Sequence, residues 1–445
     1  MNGKRPPSEV GVVALGRSAA RDWGMVVPME GRQVDLNVRG ALLGCVRTQS
    51  HQGQRMAQQD DFAPTEVLAG QGASRAMEGL GIQFTGSGSE YFRIWMVNLL
   101  LTLVTFTLYV PFARARRIAY FQNNTLVGGD PLGFHADPWK MFRGYLLVLA
   151  LGVGYWAVSN FQPGLAWIAL VVFAALWPAL WRASLQFRLR NTSWRGVRFS
   201  FEGDLKSAYI ALLPFFLPAL AFVLFLPQVE EGEEMTREAA QTVATVMGVV
   251  TVAFMVLLPW LFARIKRYQH GGYAFAQERT ALKVGAGSFY VLFLKTLGVS
   301  ILVGLVAGAV LIAPLFLLGG ALAPLLITAA LAVVYLLVPL LTMPYVHSRL
   351  QNLLWGNTRS PKIHFESRLR FRELFRVTLV NWLLIVVTLG LYWPFAKVRT
   401  ARLKLEALSL EVEGPVDEWV ARAKRSHQGV LGDAAGDFFG IDMGL

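Results

Sequence analysis

Cysteine is almost missing from this chain. Cys45 is the only one in 445 residues, so neither an intrachain disulfide nor a thiolate metal cluster can form. Charge is scarce as well: charged residues make up 16%, where soluble domains carry about 25%. Asp and Glu are absent from every long apolar stretch, which argues against a proton-coupled carrier built on a buried carboxylate. The histidines His135, His270, His347, His364 and His427 form no H-x-x-x-H or His–carboxylate grouping. No Ser-His-acid or H-E-x-x-H arrangement occurs either. The chain therefore reads as non-enzymatic, with no metal and no cofactor. GSGSE at 86–90 is no phosphate loop, because Tyr91 stands where a third glycine belongs; it reads as a flexible lead-in to the first helix.

Apolar length is what the chain has in abundance. Hydrophobic residues make up 54%, and stretches near the length of about 20 residues needed to cross a bilayer recur from Ile94 onward. Eight segments are predicted, at 94–112, 142–160, 164–181, 208–227, 241–263, 289–312, 316–343 and 377–395. The run from Thr296 to Val346 carries no charge and must be two helices with a bend near Gly319-Gly320. Such all-round hydrophobicity means lipid contact, and the fold class expected is an all-α polytopic membrane protein.

The net charge of +13 could point to nucleic acid. The basic residues, however, crowd into short loops between apolar segments. Arg114, Arg116 and Arg117 open one loop, Arg182, Arg188, Arg190, Arg195 and Arg198 fill the next, and Arg264, Lys266 and Arg267 begin a third. Arg349, Arg359, Lys362, Arg368, Arg370 and Arg372 fill a fourth. The turns between, at 160–164 and 228–238, are short or acidic. By the positive-inside rule the basic loops face the cytoplasm. The partners expected are the lipid bilayer and anionic lipid headgroups, and no nucleic acid.

Those loops resemble one another. Each follows a helix end with a proline: Pro111, Pro178, Pro259 or Pro344. Three then read Asn-Thr and run to a phenylalanine, at Asn124–Phe134, Asn191–Phe199 and Asn357–Phe365; RYQHGGYAF at 267–275 is a worn copy. VRFSF (197–201) and KIHFE (362–366) alternate as small strands do. The expected architecture is helical hairpins repeated in parallel orientation, with short β-turn units in the cytoplasmic loops.

The first and last apolar segments are near-copies. Glu90–Arg116 aligns with Glu373–Arg399, sharing Glu90, Phe92, Arg93, Asn98, Thr105, Tyr109, Pro111, Phe112 and Arg116. Polar residues inside the membrane are therefore duplicated: Asn98 and Asn381, Thr105 and Thr388, Tyr109 and Tyr392, closed by Arg116 and Arg399. At helical spacing each set lies near one face. Two roles fit: hydrogen bonds between helices, or the polar lining of a binding site. Two full crossings would put Arg116 and Arg399 on opposite sides, against the charge rule; a re-entrant turn at T-x-x-L-Y-x-P would not. Counting the descending arm only from Gly390 to Lys397 makes a re-entrant loop badly unequal, which favours eight crossings.

Residues 1–80 lack sustained periodicity and read as a disordered extension, with Met56 and Met77 as alternative starts. The membrane domain is placed at 84–413, and 414–445 reads as a flexible cytoplasmic tail. F-T-G-S-G-S-E-Y-F (84–92), L-Y-V-P-F-A-R-A-R (108–116), H-A-D-P-W-K (135–140), R-N-T-S-W-R-G-V-R-F (190–199) and L-Y-W-P-F-A-K-V-R (391–399) together resemble the YjgN-like bacterial inner-membrane family, domain of unknown function 898. The resemblance implies an inner-membrane location and a multi-pass helical fold, and brings no activity or substrate. The function expected is transporter- or channel-like, for a small solute or lipid. The alternative is a non-transporting scaffold that binds anionic lipid or a soluble partner through its basic face.

Overall fold

The computed structural model of the protein describes residues 77–225, 236–318, 320 and 322–428, all within one compact unit. Its helices in chain order are α1 (Gly88–Val104), α2 (Val110–Asn123), α3 (Pro138–Phe161), α4 (Ala166–Arg190), α5 (Leu205–Leu212), α6 (Leu217–Phe225) and α7 (Arg237–Gly271). They continue as α8 (Ala286–Leu311), α9 (Ala313–Leu318), α10 (Ala323–Trp355), α11 (Phe371–Val387), α12 (Trp393–Glu406) and α13 (Val416–Gln428). The strands are β1 (Met77–Phe84), β2 (Thr125–Val127), β3 (Asp130–Phe134), β4 (Thr192–Trp194), β5 (Val197–Phe201) and β6 (Tyr273–Phe275). After them come β7 (Glu278–Arg279), β8 (Ala281–Leu282), β9 (Thr358–Arg359), β10 (Ile363–Ser367) and β11 (Leu408–Glu413).

Among the described residues, 6 helical stretches are long and apolar enough to cross a membrane: α3, α4, α5 with α6, α7, α8 with α9, and α10. Their outward side chains are apolar and exposed, Leu302, Leu305 and Val310 among them. Water would penalise such a surface, and lipid does not. Pro178, Pro259 and Pro344 lie inside α4, α7 and α10 and are buried against protein. The long uncharged run bends at Gly320, where φ is +95°.

Helix ends become strands by a repeated device. The Asn of each Asn-Thr pair donates its amide to the carbonyl four residues back: Asn124 to Tyr120 at 2.9 Å, Asn191 to Phe187 at 2.8 Å, Asn357 to Leu353 at 2.8 Å. The Thr hydroxyl does the same: Thr125 to Phe121 at 2.7 Å, Thr192 to Arg188 at 2.8 Å, Thr358 to Leu354 at 2.7 Å. The caps thus add side-chain donors to carbonyls in the last turns of α2, α4 and α10, and the β-branched Thr starts a strand. The hairpins then turn over two residues with positive φ, Gly128-Gly129 and Arg195-Gly196, the geometry that matches strand twist. Gly128 is further constrained, because a Cβ there would come within 2.7 Å of Leu80 Cδ2.

These pieces form one antiparallel sheet in the order β7-β6-β5-β4-β3-β2-β1-β11-β10-β9-β8. β1 pairs along one half with β11 (Leu80 opposite Leu410) and along the other with β2 (Ile82 opposite Val127), so the two ends of the membrane domain are zipped together. The edge strands β7 and β8 are separated in the chain only by Thr280, which leaves the sheet a nearly closed barrel. Leu80, Val127, Trp194, Phe275, Ile363 and Val412 meet in one apolar core with Val416, Trp419, Val420 and Ala423 of α13. Strands so far apart in the sheet share a core because it curls round on itself.

The fold is therefore mixed α/β, not the all-α arrangement of parallel hairpin repeats with minor β-turns that the sequence suggests. Alternation marks short strands but not their partners, and here the partners lie in different loops. Segments 94–112 and 377–395 are likewise not crossings. Each doubles back at a tip, Thr105–Tyr109 or Thr388–Tyr392, through the positive-φ residues Phe106, Thr107, Leu389 and Gly390. The descending arm continues to Glu406, past Lys397, so the arms are 17 and 14 residues in both hairpins, or about 25 and 21 Å. Phe106 and Leu389 at the tips are 88% and 94% exposed, as lipid-immersed side chains are. Within 414–445, Val416–Gln428 form α13, whose Val416, Trp419, Val420 and Ala423 are buried against the barrel, and 429–445 lie outside the described residues. Of the extension placed at 1–80, residues 1–76 lie outside the described residues and Met77–Leu80 belong to β1.

Candidate functional site

Of the eight polar residues singled out above, Asn98, Thr105, Asn381 and Thr388 brace their own hairpins from within. Asn98, 7% exposed, donates Nδ2 across its hairpin to the Ala113 carbonyl at 3.5 Å; Asn381, 4% exposed, donates to Ala396 at 3.4 Å and to Thr400 Oγ1 at 3.2 Å. Thr105 Oγ1 donates to Leu101 O at 2.8 Å and accepts from Tyr109 N at 3.0 Å, which locks the tip; Thr388 does the same with Leu384 O at 2.6 Å and Tyr392 N at 3.0 Å. Arg116 and Arg399 are exposed, and Arg116 lies over the Tyr109 ring at 5.8 Å. Aromatic rings fill the contact between the hairpins, Phe92 against Phe395 at 5.5 Å and Trp95 against Trp393 at 6.1 Å.

None of the eight lines the chamber the fold builds elsewhere. Where the last turns of α2, α4, α7 and α10 converge on the barrel, a cavity of about 420 Å³ remains inside it, within the range of about 300–1,000 Å³ typical of ligand pockets. A barrel of eight strands is just filled by its own side chains, and a wider one leaves a lumen. The walls are largely apolar: Leu80, Ile82, Leu132, Phe199, Phe365 and Leu410 line the space, and Trp419 of α13 lies on the wall with them. α13 is seated by Arg195, whose Nη1 donates to Asp417 at 2.6 Å, and by Val416 N, which donates to Glu78 at 3.4 Å.

Polar groups enter the chamber mainly from the helix ends. Gln122 of α2, Arg188 of α4 and Gln269 of α7 line it, with Tyr273 of β6 beside them. Arg188 Nε and Gln122 Oε1 are buried without a hydrogen-bond partner. Glu278, the carboxylate on the wall, is already paired with Lys362 at 3.2 Å. Burial pushes the Tyr273 phenol up to about 12, so it stays a neutral hydroxyl at physiological pH. The chamber thus presents the unpartnered Nε of Arg188 and one free amide oxygen in largely apolar surroundings. Orphans of this kind each cost on the order of 1–3 kcal/mol, more when charged, unless something fills the place. Among the described residues no group of His, Cys, Asp and Glu could hold a metal ion.

Sequence reasoning passed over these chamber residues, although a signal exists. Gln122, Leu189 and Trp355 each stand two positions before the Asn of an Asn-Thr pair, and all three line the chamber. The residue two positions ahead of each Asn cap thus lies on the chamber wall.

A family model described as "Bacterial protein of unknown function (DUF898)" matches residues 80–438. The "Inner membrane protein YjgN" of Salmonella typhimurium (strain LT2) is 32% identical over 147 residues, covering 32% of this chain and 37% of the relative. The proteins of the same name from Escherichia coli O157:H7 and strain K12 are each 30% identical over 141 residues, covering 31% of this chain and 34% of theirs. The matched region thus spans about a third of each relative. No solved structure matches the chain. With its membrane-length helices, the chain is a multi-pass protein of the bacterial inner membrane.

Proposed function

Because the chain belongs to the DUF898 family and lies in the inner membrane, we propose that it is a non-catalytic, transporter-like protein for a small lipid-like solute, which it holds in the barrel chamber. The solute carries an apolar tail and a small head that offers an anionic oxygen to Arg188 and a hydroxyl to Gln122. The observation behind this reading is the pair of unpartnered atoms, Arg188 Nε and Gln122 Oε1, at the membrane-side end of an apolar cavity. A bound anion returns to the guanidinium the partner that burial took from it.

Trp194 and Trp419 on the chamber wall allow a direct test with a long-chain polyene fatty acid, which accepts energy from tryptophan. Titrating the purified full-length protein should give saturable transfer. Arg188→Met should weaken binding by about tenfold or more, and Leu410→Trp should block it. Equal transfer in wild type and the blocked variant would overturn the reading.

A second reading is the non-transporting scaffold whose basic face engages anionic lipid headgroups or a soluble partner. One feature favours it: arginines that do not reach the chamber gather in a separate cleft at the membrane boundary.

A further inference from the structure

Between α5 and α7 lies a cleft of about 380 Å³, lined by Arg264 and Arg267 of α7 and Arg279 of β7. Three guanidinium groups facing one space repel each other unless an anion joins them. Among the described residues none of the three has an ion-pair partner. Arg267 Nη2 donates to Val284 O at 3.1 Å and Arg279 Nε to Gly271 O at 2.8 Å. These bonds fix the direction of both forks and leave other N–H groups of each to face the cleft. The one carboxylate on the lining, Asp204, accepts from Ser207 N at 2.8 Å at the start of α5 and lies near enough to Arg279 to feel its charge. Three positive groups against one negative leave the cleft cationic.

The depth of the cleft follows from α7. Between Glu238 and Arg264 the helix carries no charged residue, a rise of about 39 Å against a hydrocarbon core of about 30 Å. Arg264 therefore stands at headgroup level. Its guanidinium lies 4.6 Å from the centre of the Trp260 ring, an aromatic at the position such residues take at a membrane boundary. Ile210, Ala211 and Trp260 line the cleft on its apolar side, whereas Arg267 and Arg279 are exposed. One space thus grades from apolar to cationic across the depth where a lipid passes from acyl chain to phosphate.

We propose that this cleft binds the phosphate-bearing headgroup of an anionic membrane lipid, with Arg264, Arg267 and Arg279 on the phosphate and Trp260 and Ile210 against the start of the acyl chains. The proposal gives a place to the headgroup reading above and does not depend on the chamber.

The test uses the full chain in nanodiscs of phosphatidylcholine with graded phosphatidylglycerol, counting retained lipid by native mass spectrometry. Wild type should prefer phosphatidylglycerol. Arg264→Gln with Arg267→Gln and Arg279→Gln should lose that preference by tenfold or more, since each charged hydrogen bond contributes about a factor of ten. The triple lysine variant should recover part of it, because Lys restores charge without the fork. Arg198→Gln with Arg359→Gln, exposed arginines that do not line the cleft, is the control and should leave the preference intact. If wild type shows no preference, the headgroup reading itself fails. If the preference survives in the folded triple glutamine variant, the general reading stands and this site falls. Displacement of the lipid by millimolar inorganic phosphate would assign the cleft to a soluble anion and overturn the lipid proposal.

Discussion

Arg195 donates Nη1 to Asp417 at 2.6 Å, tying the first turn of α13 to the β4–β5 turn on the barrel rim. Asp417 is 93% exposed on its side chain, and exposed ion pairs contribute only about 0–1 kcal/mol. Trp419, 8% exposed and packed on Phe275 at a ring distance of 5.4 Å, carries most of the attachment. Asp417→Ala should leave thermal stability almost unchanged, whereas Trp419→Ala should cost about 3 kcal/mol. Limited proteolysis after Gly414 reads the difference: α13 should be released in the second variant only.

The lone cysteine makes the hairpin topology directly testable. In a Cys45→Ser background, Leu389→Cys at the tip should resist membrane-impermeant maleimide from either side. Glu90→Cys and Glu406→Cys should both react from the cytoplasmic side alone. Labelling of Glu406→Cys from the periplasmic side would restore a full crossing.

Asn98 and Asn381 act inside their own hairpins, and their Oδ1 atoms are buried without partners. Replacement by Leu removes a donor and an unsatisfied oxygen together, two changes that offset each other in part. Asn98→Leu should change stability by less than about 1 kcal/mol. Asn381→Leu should cost about 1–2 kcal/mol, because Thr400 also loses its donor. Fatty-acid titration should be unaltered in both, and a loss of binding in either would return these residues to the binding site.

Tyr273 contributes to an alkaline limb, together with Tyr120 and Tyr268. The Tyr273 phenol is raised by burial from 10.0 to about 12. Below pH 10 it is protonated in folded and unfolded chains alike and contributes nothing. As pH rises from 10 toward 12 the unfolded chain loses the proton first, so stability falls, by about 2–3 kcal/mol at the upper end. Tyr273→Phe should flatten that decline relative to wild type. Identical slopes would mean the phenol is not shielded from water.

Much of the local structure was legible. The VRFSF and KIHFE alternations became β5 and β10, and the bend predicted near Gly319-Gly320 lies at Gly320. The duplicated polar residues were also found, with hydrogen bonding as one of their two roles. Two inferences failed for one reason, that a short segment was judged without the rest of its element. The descending arm was measured only to Lys397, and the Asn-Thr units were weighed as separate turns. Gln122 and Tyr273 were passed over and Arg188 was counted only among the basic loop residues, because the chamber they line is assembled from several loops.

Membrane residence and the gathering of basic groups at one end were determined by the sequence itself, because lipid solvation and the charge rule act on each segment in turn. Closure of the barrel was decided only in three dimensions. β1 and β11 stand at opposite ends of the membrane domain, and strands of two or three residues carry too little periodicity to name a partner. The unpartnered arginine inside exists only once those strands have met.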